Sequence, residues 1–141
     1  MMNWFVWALL SALFAGLTAV LAKVGVKDVD SNVATAVRTL VVLLLSWAIV
    51  LWRGGWSGTI HAIPRRTWIY LTLSGLATGA SWLCYFRALQ LGEVAKVAPI
   101  DKCSVVVAMG LAALLLGEPL HARHLFGGML ILAGVLVLTQ V

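Results

Sequence analysis

Five long apolar runs separated by short polar stretches set the pattern of this chain. They cover Asn3–Ala22, Ser31–Trp52, Trp68–Leu89, Val94–Leu116 and Leu125–Val141, each 17 to 23 residues long. A helix of that length reaches across, or nearly across, a hydrocarbon core of about 30 Å. The predicted fold is therefore all-α, a polytopic transmembrane bundle of five membrane-spanning helices in a single domain over residues 1–141. The first connection, Lys23–Asp30, is a mixed-charge turn in which Asp30 or Ser31 caps the next helix. The longest connection, Arg53–Thr67, holds Gly54, Gly55, Gly58 and Pro64 and is predicted to be irregular and exposed, with His61 solvated in it. Gln90–Glu93 is short, so the third and fourth runs are predicted antiparallel neighbours. Gly117-Glu118-Pro119 ends the fourth run, and His121, Arg123 and His124 form the last polar turn.

The fourth run carries the unusual chemistry. Its purely apolar part, Ser104–Leu116, has 13 residues, about 20 Å of helix, which is too short to span. Started at Val94 it has 23 residues and spans, but Pro99, Asp101 and Lys102 then lie inside the membrane. A charge there costs about 2.5–3.5 kcal/mol on insertion scales, and such residues mostly face a bundle interior or a wet cavity. Arg38 is a further charge inside the second run. It is seven residues from Ser31, and Asp101 is seven from Val94, so each lies about 10 Å in from the same face. Equal depth suits an ion pair between the two; the alternative is that Arg38 snorkels to the near interface. Lys102, about 100° further round its helix, pairs with Asp101 from another direction or projects into a cavity, where it suits an anionic or carboxylate-bearing ligand. Pro99 removes one backbone hydrogen bond and crowds the Ala95 carbonyl, predicting a kink. Trp82, Tyr85 and Phe86 either line the same cavity or anchor the helix at the interface. Gly75 and Gly79 form a GxxxG pair, and Ala8, Ala12, Gly16 and Ala19 recur at helical spacing, both suited to close helix packing.

Composition narrows the classes. Of 141 residues 62% are hydrophobic and 11% charged, about half the usual charged share, which excludes a soluble domain. The net charge of +5 comes from basic residues placed mostly between the apolar runs, as in membrane loops rather than a nucleic-acid surface. The first run lacks a basic leader, so a retained span is expected rather than a cleaved signal. Cys84 and Cys103 fall in separate runs and have no spaced cluster around them, so neither a disulfide framework nor a metal site is expected, and no cofactor is implied. No HExxH, GxSxG or phosphate-binding glycine loop is present, which argues against an enzyme. Loop arginines and lysines divide evenly: Arg53, Arg65, Arg66 and Arg123 on the amino-terminal side, Lys23, Lys27, Arg87 and Lys96 on the other. So weak a bias permits insertion both ways up. Trp4, Trp7, Trp52, Trp56 and Trp68 all fall on the amino-terminal side; two copies in opposite orientations would supply one aromatic belt to each interface.

The run Trp82-Leu83-Cys84-Tyr85-Phe86-Arg87-Ala88-Leu89-Gln90-Leu91-Gly92, then Ala98-Pro99-Ile100, Leu114-Leu115-Leu116-Gly117-Glu118-Pro119-Leu120, Gly127-Gly128 and Gly134-Val135, resembles an EamA domain of the drug/metabolite transporter superfamily. Arg38 fits the same pattern, and Pro99-Ile100-Asp101-Lys102 resembles the small, single-domain branch. Most members carry two such domains, ten spans arranged as inverted repeats round a central cavity. The resemblance implies that this chain supplies half of that arrangement and works as a dimer, with an inverted second copy or a paralogous partner. Members move amino acids, nucleotide-sugar-like and other metabolites, or drugs, often outward. The first run has no carboxylate, so proton exchange through a first-helix glutamate, as in the small multidrug exporters, is not available.

The expected function is a carrier of small metabolites or drug-like molecules working by alternating access, with Arg38, Asp101, Lys102, Trp82 and Tyr85 as substrate-binding or coupling residues. Its expected place is a prokaryotic inner membrane. The competing expectation is a non-transporting scaffold or accessory subunit paired with another membrane protein.

Overall fold

The computed structural model describes residues 3–54 and 62–140, and every regular element among them is helical. Trp56, His61 and the glycines Gly55 and Gly58 of the longest connection lie outside the described residues. The helices are α1 (Trp4–Gly25), α2 (Ser31–Trp52), α3 (Arg65–Leu91), α4 (Val94–Asp101), α5 (Ser104–Leu111) and α6 (Ala122–Thr139), with a π-helical turn, Ala112–Leu116, continuing α5. Among the described residues four segments are long and apolar enough to cross a membrane: α1, α2, the Val94–Leu116 stretch and α6. The fifth, α3, has 27 residues, about 40 Å of helix, and is long enough but less apolar.

Helix ends follow local chemistry. Asp30 caps α2, its side chain accepting from the Asn32 and Val33 N–H groups. Gly117 stops the π turn in the left-handed region at φ 69°, where glycine has no Cβ to clash. The hydroxyls of Thr35, Thr39, Ser46, Thr78 and Thr139 each donate to the carbonyl four residues back. In lipid that is how a helix carries polar side chains without leaving a donor unmet. α1 runs to Gly25, three residues past the predicted Ala22, and Lys23 in its last turn donates to the Leu89 carbonyl.

The chain forms two compact units. The first is Ala22–Gln90, the end of α1 with α2 and α3 up to its last residue. Its buried residues gather at one end: Ala22 in the last turn of α1 and Val26 just after it, Ser31 and Thr35 at the start of α2, Phe86 and Leu89 near the end of α3. Polar ties close the same end. Lys23 Nζ donates to the Leu89 carbonyl at 2.6 Å, and Gln90 Nε2 donates to the carbonyls of Val26 (3.0 Å) and Val29 (2.6 Å). Carbonyls at a helix end have no intrahelical partner, so a nearby lysine and amide satisfy them. Every residue of α2 after Arg38 is exposed, an apolar surface suited to lipid or another helix.

The second unit holds α1 up to Leu21 and the chain from Leu91 onward. Here α4 and α5 both pack on α6. A Cβ placed on Gly128 would lie 3.1 Å from Met109 Cε and 3.7 Å from Val106 Cγ2, so this glycine lets α5 and α6 approach. The same test at Gly75 and Gly79 meets nothing within 4 Å. Gly128→Leu is therefore expected to destabilise the detergent-solubilised chain by about 1–3 kcal/mol, read as a lowered Tm. Gly75→Ala should leave the Tm of the single chain unchanged or slightly raised, since alanine is the better helix former.

Candidate functional site

In the Ala22–Gln90 unit the site is Arg38 and its aromatic neighbours. The guanidinium carbon lies 4.2 Å from the centre of the Trp82 ring and 5.4 Å from that of Phe86. Trp82 and Phe86 are four residues apart, so α3 presents both on one face. Arg38 is half-buried, just beyond the packed end of the unit. Tyr85 is half-buried and within electrostatic range of the same guanidinium. Arginine suits this place because its planar, weakly hydrated cation stacks on rings while its N–H edges stay free to donate. Phe86 was seen in the sequence only as one of three aromatics; its place one helical turn after Trp82 was the signal that both share a partner.

In the second unit the site is the break between α4 and α5. Pro99 lies inside α4, but the helix is interrupted at Lys102 and Cys103 rather than at the proline. There the hydrogen bonds tighten to three-residue spacing: Lys102 N–H donates to the Pro99 carbonyl and Cys103 N–H to Ile100, both at 3.0 Å. The Lys102 ammonium lies 3.1 Å from Asp101 Oδ2. Adjacent residues on a regular helix do not face each other, so this pairing depends on the tightened turn. Lys102 remains 56% exposed and Asp101 35%.

The sequence-predicted residues thus fall into two groups. Arg38, Trp82 and Tyr85 belong to one unit; Pro99, Asp101 and Lys102 belong to the other. Each charged residue has a partner inside its own unit: aromatic rings for Arg38, and the neighbouring residue for Asp101. Cys84 and Cys103 are free thiols. Among the described residues no three His, Cys, Asp or Glu side chains are placed to hold a metal ion.

Long apolar helices, one broken at a charged pair and another carrying an arginine over aromatic rings, define a multi-pass helical membrane protein. The chain belongs to the EamA-like transporter family, whose model matches residues 2–140. It is 54% identical over 136 residues to a Sinorhizobium protein called an uncharacterized transporter in cobO 3'region, covering 96% of each chain. It is 35% identical over 92 residues, 65% of this chain and 74% of the relative, to a probable 4-amino-4-deoxy-L-arabinose-phosphoundecaprenol flippase subunit ArnE of Pseudomonas aeruginosa. The corresponding Pseudomonas fluorescens protein is 31% identical over 94 residues, 67% of this chain and 80% of the relative. No solved structure gives a significant match.

Proposed function

We propose that the chain is a carrier, working outward by alternating access, for small metabolites or drug-like molecules in a bacterial inner membrane, and that it acts as a dimer. Arg38, Trp82 and Tyr85 receive the anionic part of the substrate, and the Asp101–Lys102 turn supplies the second polar group used in transport. The observation that carries this reading is the exposure of that ion pair in the single chain. Eight residues into a spanning segment, an uncovered pair is costly, which favours a second chain that covers it. The open faces at Gly75 and Gly79, and the exposed Ala8, Ala12 and Gly16 on α1, are surfaces that a partner helix fits. The even division of loop charges favours an inverted copy as that partner.

Compartment-specific reporters fused after Val141 test the orientation. Signal in both compartments is expected; signal in one compartment only would leave a parallel dimer or a partner of fixed opposite orientation. A second reading has one observation in its favour: the relatives from Pseudomonas are named as subunits of a flippase for a lipid-linked sugar. On that reading the chain joins a different membrane protein, and its cargo carries a lipid tail. Co-purification of a second, non-identical membrane chain in fixed ratio from the native host would select it.

A further inference from the structure

The Ala22–Gln90 unit contains a second polar feature that the Arg38 rings do not use. Asp30, Ser31, Asn32, Leu83, Cys84 and Arg87 line an open cavity of about 500 Å³, within the 300–1,000 Å³ typical of small-molecule sites. It holds one carboxylate and one guanidinium, and the two form no ion pair with each other. Each is held from elsewhere. Asp30 Oδ1 accepts from the N–H groups of Asn32 (2.9 Å) and Val33 (3.2 Å). Arg87 Nη1 donates to Gln90 Oε1 at 3.0 Å, and Gln90 is itself fixed by the Val26 and Val29 carbonyls. Asp30 and Arg87 thus line the same space without pairing with each other, and these bonds engage only Oδ1 of the one and Nη1 of the other. Leu83 adds an apolar flank and Cys84 an exposed thiol.

We propose that this cavity binds a zwitterionic head, a molecule carrying a primary amine and an oxyanion. The amine is received by Asp30 and the oxyanion by Arg87, through charge-assisted hydrogen bonds. A simple anion meets the carboxylate and a simple amine meets the guanidinium, so neither alone is favoured. The inference rests on the cavity and not on transport; binding and carriage can fail separately.

Cys84 reports occupancy directly. In a Cys103→Ala background the full chain in phosphatidylglycerol nanodiscs is alkylated with a membrane-impermeant maleimide. Phosphoethanolamine is expected to slow Cys84 alkylation severalfold, with inorganic phosphate or ethanolamine alone doing far less. Arg87→Gln should raise the phosphoethanolamine concentration needed for half-protection by about tenfold. Asp30→Asn should do the same while keeping an efficient helix cap. Nanodiscs of phosphatidylethanolamine form the second arm. Protection there without soluble probe assigns a lipid headgroup as the source, and protection by the soluble probe alone assigns a free molecule. The proposal is overturned if Cys84 is unreactive in phosphatidylglycerol discs, if phosphate alone protects as well as phosphoethanolamine, or if Arg87→Gln protects like the parent.

Discussion

Asp101→Ala and Lys102→Ala, made singly, should each abolish transport while leaving membrane insertion intact. Either change removes one half of a pair held at 3.1 Å by a broken helix turn and strands the other charge at depth. A stranded charge costs about 2.5–3.5 kcal/mol, which is enough, if borne in the transport cycle, to slow it by a factor of about 70 to 400. Insertion survives because the segment from Val94 to Leu116 keeps its apolar length. The exchanged double variant, Asp101→Lys with Lys102→Asp, separates the two roles of the pair. If it is only a structural tie, the exchange restores transport; if the carboxylate and ammonium meet substrate in fixed positions, the chain inserts and stays inactive, which is the expected result. Efflux from proteoliposomes measures all three, using as cargo the compound whose export distinguishes cells with and without the chain.

Arg38 carries the second large effect. Arg38→Lys keeps the charge but loses the guanidinium placed 4.2 Å over the Trp82 ring, and lysine does not replace arginine at such a site. A stacked, partly desolvated cation is worth about 1–2 kcal/mol, so substrate affinity should fall about tenfold. Arg38→Ala, which also removes the donors, should cost about a hundredfold. Trp82→Leu should resemble Arg38→Lys, and Arg38→Lys in a Trp82→Leu background should cost little more than either alone, because both remove one contact. The concentration dependence of efflux checks the series. Independent, additive losses would show that the ring contact is not what holds Arg38.

The helices were legible in the sequence because lipid leaves few choices: a long apolar run must satisfy its own backbone, and only a helix does so. The capping by Asp30 and the stop at Gly117 were legible for the same local reason. The partner of Arg38 was harder to read. Equal depth along two helices pointed to Asp101, which belongs to the other unit, with snorkelling as the alternative; depth says nothing about which faces meet, and within its own unit Arg38 lies over Trp82 and Phe86. Pro99 pointed to a kink at the proline; the interruption falls at Lys102 and Cys103, where the tightened hydrogen bonds are. Gly75 and Gly79 carry the close-packing spacing, yet neither has a neighbour within 4 Å of an added Cβ, while Gly128 does. A GxxxG pattern marks a face that admits a neighbour, and whether one arrives is decided by the rest of the assembly.

Carriage by this chain depends above all on a second chain covering the charged turn of the first. Single-molecule photobleaching of the fluorescently tagged chain in transport-active proteoliposomes counts the copies directly. Two bleaching steps per active particle are predicted, and particles with one step should be inactive. Single-step particles that transport at the full rate would contradict it, because Asp101 and Lys102 would then stand in lipid with no partner chain and no loss of function.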